Sequence, residues 1–392
     1  MSQSFQELGV SAPVIRALEI AGITHPFAIQ NLVLPDALAG LDVLAESPTG
    51  SGKTLAFGLP LVERTAGSSA KPGALVLVPT RELASQVAAD LTPVAAAKGL
   101  RVATVYGGAP IGVQIKKARG AHVLVATPGR LHDLLERRAV SLSAVRVLVL
   151  DEADRMLDMG FKPQVDRILR TVPANRQTML FSATIDGAVA ELARAYTVTP
   201  THVRAELPAD LLPGEVEHSF VAVTQEDKLE RLVDQLGGDR GLVLVFVRTK
   251  HGADKLARKL ERQHNIKAVA MHGNLSQNQR ERALAQFESG RVSTLVATDV
   301  AARGLDVDDI THVINFDPPH GDNDYVHRVG RTGRAGRSGA GVTLVLPDQR
   351  RDVGRLAARL GHGDQFVASG MSVSTRPRAE TAGTGPRRRR RR

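Results

Sequence analysis

Three carboxylates stand within four residues at Asp151, Glu152 and Asp154, directly after the apolar run Val147 to Leu150. Charges of one sign held that close repel, so such a cluster calls for a cation. A hundred residues earlier, "SPTGSGKT" at 47–54 has the composition of a phosphate-binding loop. Its flexible backbone at Thr49, Gly50, Ser51 and Gly52 can turn N–H groups toward a β-phosphate. Lys53 can reach the β- and γ-phosphates, and the Thr54 hydroxyl can face Mg²⁺. The generic pattern starts with glycine, and here that place is taken by Ser47. If both segments share one rim, Asp151 can hold Mg²⁺ through water and Glu152 can activate the water that attacks the γ-phosphate. Asp154 also suits a helix N-cap or first turn.

The elements needed to position these groups are visible in the hydrophobic pattern. Short apolar runs occur near 42 and at 74–79, 102–106, 122–127, 146–150 and 178–182. Helical patterns lie between them, such as 81–97 with Leu83, Val87, Leu91 and Val94 on one face. Strands alternating with helices predict a mainly parallel sheet covered on both faces. Ligands in such sheets bind beyond the strands' carboxyl ends, which puts the loop after Glu46 and the acids after Leu150 on one rim.

The alternation pauses at "AELPADLLPGEVE", 205–217, which reads as a linker. It then restarts with a helix face at Leu229, Leu232, Val233 and Leu236, followed by strand-like runs at 241–247, 267–271, 292–298, 311–316 and 341–346. The expected division is 1–206, a linker at 207–215, a second α/β domain at 216–362, and a disordered Arg-rich tail at 363–392.

Composition limits the function classes. The chain has 392 residues, enough for two domains, and 43% apolar content. It has no cysteine, so disulfides and thiolate metal sites are excluded. No apolar stretch is long enough to span a bilayer and the first ten residues do not look like a signal peptide, so a cytoplasmic protein without membrane association is expected. The net charge is +10, but residues 371–392 hold eight arginines against one glutamate and leave the rest at +3. No G-x-S-x-G elbow supports a serine hydrolase.

Taken in order, these segments closely resemble the DEAD-box ATP-dependent RNA helicases of superfamily 2. The resemblance covers about residues 5 to 346. It is carried by "SPTGSGKT" and "DEAD", by "PTRELA" (79–84), "GG" (107–108), "TPGR" (127–130) and "SAT" (182–184), and then by "LVFVRTK" (244–250), "HGNLSQNQR" (272–280), "ATDVAARGLD" (297–306) and "HRVGRTGRAG" (327–336).

The resemblance implies two tandem RecA-like domains that close over ATP, Mg²⁺ and single-stranded RNA. Gln30 in "GITHPFAIQ" matches the adenine-reading glutamine, supported by Phe5, and Phe27 stands where the family has threonine. Asp306 matches a ribose-binding aspartate. Arg331 and Arg334 match arginines that reach the γ-phosphate from the second domain. Ser182, Thr184 and His327 match groups that couple hydrolysis to domain closure. RNA contacts are implied for Thr80, Arg81, Gly108, Thr127, Gly129 and Arg130, then for Arg248, Gly273, Gln277, Arg280 and Thr298. With no tryptophan and 3% aromatics, base stacking is poorly supplied, so little sequence preference is expected. The implied activity is RNA-stimulated ATP hydrolysis coupled to local unwinding by a monomer recruited to RNA-processing or ribosome-assembly complexes. An ATP-gated RNA clamp and a DNA-translocating motor are the competing readings.

Overall fold

Runs of valine, leucine and isoleucine make strands here because branched side chains pack well on a pleated surface. The computed structural model describes residues 3–48, 50–66, 71–205, 214–238, 240–302, 307, 309–333 and 336–372. In chain order the first unit runs α1 (Ala12–Ile20), α2 (Ala28–Ala39), β1 (Val43–Glu46), α3 (Lys53–Thr65), β2 (Ala74–Leu77), α4 (Arg81–Ala96), β3 (Val102–Val105), α5 (Ile111–Gly120), β4 (Val123–Ala126), α6 (Pro128–Glu136), β5 (Val147–Leu150), α7 (Ala153–Asp158), α8 (Lys162–Leu169), β6 (Gln177–Ser182), α9 (Gly187–Tyr196) and β7 (Thr201–Arg204). Its strands form one sheet in the order β3-β4-β2-β5-β6-β1-β7. Every described pairing is parallel.

The second unit runs β8 (Val216–Ala222), α10 (Lys228–Leu236), β9 (Leu242–Phe246), α11 (Lys250–His264), β10 (Ala268–Met271), α12 (Gln277–Glu288), β11 (Thr294–Ala297), α13 (Asp299–Ala302), β12 (Ile310–Asn315), α14 (Asp322–Val329), β13 (Gly339–Val345), α15 (Arg350–Arg359) and α16 (Gly363–Ala368). The sheet order is β10-β11-β9-β12-β13-β8, again with parallel pairings throughout.

Both sheets are covered on two faces, which explains why their inner strands read as unbroken apolar runs. Alternation sends successive residues of one strand to opposite cores. Val43 and Ala45 join the core beneath α1, α3 and α4, while Leu44 joins the one beneath α6, α8 and α9. In β9, Val243 and Val245 face one core and Leu242, Leu244 and Phe246 the other.

One sequence expectation needs correction. The tail was expected to begin at 363, yet α16 occupies Gly363–Ala368. Phe366 is fully buried there, edge-on to Phe220 with centroids 5.4 Å apart, and Met371 joins the same core. Burying one such phenylalanine contributes about 1.5–3 kcal/mol. A six-residue helix held by one aromatic has no periodic stripe to announce it. Residues 373–392 lie outside the described part, as do 206–213 within the expected linker.

Candidate active site and nucleic-acid cleft

The phosphate loop leaves β1 and enters α3. Ser47 N–H donates to the Ser182 carbonyl at 2.9 Å, which extends the β1–β6 pairing into the loop. The Ser47 hydroxyl donates to Ser51 Oγ at 2.6 Å, and Ser51 Oγ donates to the Pro48 carbonyl at 2.9 Å. Serine at the position usually held by glycine therefore fastens the loop internally. Lys53 is buried, and its ammonium donates to the carbonyls of Ser47 and Pro48 at 2.9 and 2.8 Å. Gly52 caps α3 with φ +87, in the left-handed region that a side chain rarely tolerates. Gly50 also has positive φ, and Thr54 sits in the first turn of α3. Thr49 lies outside the described residues.

Gln30, buried in the first turn of α2, reaches this loop. Its Oε1 accepts the Phe27 N–H at 2.9 Å and its Nε2 donates to the Gly52 carbonyl at 3.0 Å. An amide has two donor hydrogens and two lone pairs, so one of each remains for a base edge. Phe5 is buried in the core that also holds Ile29 and Val33 of α2.

The acidic segment follows β5 on the same rim. Asp151 is buried and accepts the Glu152 N–H at 3.0 Å. Burial pushes its carboxyl up to about 7; Lys53 opposes this, and Glu152 and Asp154 add to it. A buried oxygen ligand of this kind, with the Thr54 hydroxyl in the first turn of α3, fits a hard cation such as Mg²⁺, which would favour the charged form. Glu152 adopts φ 51 and ψ 52, a backbone state that costs a non-glycine residue about 1–3 kcal/mol. Its Oε2 takes the Arg155 guanidinium at 2.6 Å, with both side chains nearly buried. The cations within the protein are thus Lys53 beside Asp151 and Arg155 beside Glu152. Sequence reasoning missed Arg155, although its place in the first turn after the acids was a usable signal.

Asp154 is more than a first-turn acid. Its N–H donates to Ser182 Oγ, and its Oδ2 accepts the Ala183 N–H, both at 3.3 Å. Ser182 therefore touches the acidic segment through its hydroxyl and the phosphate loop through its carbonyl. Thr184 is exposed two residues on.

In the second unit, Arg331 is buried just beyond α14, and its Nε donates to the His327 carbonyl at 3.3 Å. The preceding Arg328 anchors this helix end. Its Nη2 donates to Asp299 at 2.7 Å, and its Nη1 to Asn315 and to the Asp317 carbonyl at 3.0 and 2.7 Å. Sequence reasoning gave no role to this pair. Asp306 and Arg334 lie outside the described residues.

A cleft of about 380 Å³ brings together Thr80, Arg81, Thr127, Gly129 and Arg130 with Gly273 and Arg280. Thr80 caps α4 by accepting the Leu83 N–H at 3.2 Å, and Thr127 stands at the start of α6. Helix N-termini present N–H groups suited to phosphates. Gly108, at φ +86, lies beneath the Arg81 guanidinium, where a side chain would collide. Arg280 is buried and forms an ion pair with Glu82 at 2.7 Å, bridging the two units. Gln277 turns toward Glu281 at 3.0 Å in an adjacent cavity that Arg280 and Glu82 also line. Arg248, exposed, and Thr298, buried, are not among the cleft's walls.

Fold and site together define a tandem RecA-like nucleoside-triphosphatase with an arginine-containing cleft between its halves. Residues 27–192 match the DEAD/DEAH box helicase family model, and residues 226–336 match the helicase conserved C-terminal domain. The chain is 44% identical over 352 residues to the DEAD-box ATP-dependent RNA helicase CshA of Streptococcus pneumoniae, covering 88% of this chain and spanning 66% of that protein's length. To CshA of Geobacillus kaustophilus it is 42% identical over 357 residues, covering 90% of this chain and 75% of that one. Among solved structures, S. cerevisiae Dbp5 bound to RNA and ADP BeF3 superposes with a TM-score of 0.80 at 30% identity, covering 92% of this chain and 94% of that one. The chain belongs to the DEAD-box ATP-dependent RNA helicase family.

Proposed function

We propose that this chain is an ATP-dependent RNA helicase: it hydrolyses ATP when RNA is bound and uses the cycle to separate short duplexes or remodel RNA–protein complexes with little sequence preference. The observation that carries this reading is the shared rim. Lys53 of the phosphate loop acts on Asp151, and Glu152 stands next to it with its carboxylate aimed by Arg155. In this reading the loop's N–H groups and Lys53 hold the β- and γ-phosphates, and Gln30 reads adenine. Asp151 and Thr54 would hold Mg²⁺, which supplies neutralisation of phosphate charge. Glu152 takes the proton of the attacking water, while Arg331 and Arg334 complete the site from the second unit. The cleft residues take phosphate and sugar groups, which suits a register-holding rather than base-reading surface. RNA-stimulated ATPase, measured with RNA and with DNA of the same sequence, tests the reading. Equal stimulation by DNA would overturn the RNA assignment.

The same reading assigns the two domains to 1–206 and 216–362, the second extended by α16. It has the chain act as a cytoplasmic monomer recruited to RNA-processing or ribosome-assembly complexes. Among the described residues no helix is long and apolar enough to cross a membrane.

Coupling should run through Asp154 and Ser182. Asp154→Ala removes the acceptor of the exposed Ala183 N–H and with it one link between the acidic segment and the end of β6. Duplex separation should then fall roughly tenfold further than ATPase. The double substitution Ser182→Ala with Thr184→Ala should behave alike. Parallel, equal losses in the two assays would contradict a coupling role.

The arginines at 387–392 should strengthen RNA binding without adding specificity. If all six neutralise phosphates of single-stranded RNA, the slope of log affinity against log salt should steepen by about 4. The comparison is the full chain against one ending at Gly385, on two unrelated RNAs. Identical slopes would show that the tail stays off RNA.

A further inference from the structure

Phe27 is the exposed aromatic residue of this chain. Of ten phenylalanines and three tyrosines, all described, it is the most exposed, with 49% of its surface accessible. It stands at the N-cap of α2, where a hydroxyl would normally accept a helix N–H. A phenyl ring cannot do this. Only half of a reciprocal cap is made, through the Phe27 N–H and Gln30 Oε1. A residue that forfeits a cap and leaves its ring half in water is poorly explained by helix stability.

Its surroundings supply another explanation. The ring lies against Gly52, where a side chain on the glycine would strike both Phe27 and Gln30. A cavity of about 630 Å³ opens there, lined by Phe27, Gln30, Gly52 and Thr54, with Ile23 and Leu55 on its apolar walls. The free donor and acceptor of Gln30 match the N7 and N6–H₂ of adenine, but guanine offers two acceptors along that edge. An amide reads the edge of a base and leaves its face uncovered. An aromatic ring beside that amide, on the wall of the same cavity, can cover the face.

We propose that Phe27 is the stacking face for the adenine ring, so that in this chain an aromatic platform supplies affinity and the Gln30 amide supplies selection. This rests on the nucleotide reading above and adds a residue that the family's threonine position does not provide. Stacking tolerates any purine because every base has a π-face. Phe27 therefore contributes equally to adenine and guanine nucleotides, and the preference for adenine stays with Gln30.

The test uses the full chain with ADP, GDP and inorganic tripolyphosphate, which engages the phosphate loop without a base. Phe27→Ala should weaken ADP and GDP by the same factor, about tenfold, and leave tripolyphosphate unchanged. Phe27→Tyr should restore the loss. The chain contains no tryptophan, so Phe27→Trp installs a single reporter. Its emission should be quenched by ADP and not by tripolyphosphate. ADP affinity unchanged in Phe27→Ala would overturn the proposal, as would equal weakening of tripolyphosphate, which would mark Phe27 as a support for the loop. Bound ADP without quenching would overturn it too. Each of these leaves the phosphate-loop reading standing. A wild-type chain that binds neither ADP nor tripolyphosphate overturns both.

Discussion

Glu152→Gln should keep ATP bound and lower RNA-stimulated turnover by about 10²–10⁴-fold, the usual worth of a positioned general base. The amide keeps the size of the carboxylate but cannot take a proton from water. The backbone argues that this side chain is aimed on purpose. Its left-handed conformation is maintained within a segment fastened on both sides, by Asp151 at 3.0 Å and by Arg155 at 2.6 Å. Lys53→Ala should fail differently, because Lys53 serves the phosphates themselves. Nucleotide affinity should then collapse together with turnover. Equilibrium binding and single-turnover hydrolysis, measured separately on both variants, distinguish the two roles. Normal turnover in Glu152→Gln would remove it from the chemistry.

Arg331→Ala should lower single-turnover hydrolysis by about 10³-fold or more while leaving RNA affinity without nucleotide nearly unchanged. A guanidinium brought to a phosphate from a second domain acts where charge develops, and only once the site is assembled. Its position is set by its neighbour: Arg328 clamps the end of α14 to Asp299, Asn315 and the Asp317 carbonyl. Arg328→Ala should therefore also depress hydrolysis, and it removes the bonds to Asp299, Asn315 and the Asp317 carbonyl as well. Asp299 keeps 30% of its side chain accessible, so water can take over part of its charge and the loss is smaller than for a fully buried pair. Thermal unfolding of the two variants separates the cases. Unchanged hydrolysis in Arg331→Ala would mean that the second domain does not complete the site as proposed.

Much of this was legible in the chain before any coordinates. The phosphate loop and the Asp151–Glu152 segment could be read because both are local: a few contiguous residues at the end of an apolar run. The inner strands could be read because burial on two faces leaves no polar interruption. The edge strands β7 and β8 could not, since each buries only one residue fully and their composition is mixed. Helix α16 was missed because one phenylalanine holds it. The roles of Asp154, Arg155 and Arg328 were hidden for another reason. Each depends on where a side chain points after folding, and for Asp154 and Arg328 the partner lies nearly thirty residues away in sequence. Arg280 shows the converse. Resemblance marks it for RNA, while the fold turns it toward Glu82.

That bridge has a consequence for how the two halves part. Glu82 and Arg280 meet with little water around them, so salt screens their attraction weakly. Pulling the halves apart strands a carboxylate on one side and a guanidinium on the other. Neither can remain uncompensated in a poorly hydrated seam. Separation therefore favours replacing the lost partner, by hydration of Glu82 and by another anion at Arg280. Such a joint resists small displacements and then gives way at once, like a detent. If RNA binds the cleft as proposed, its backbone is an anion that can pair with Arg280 in place of Glu82.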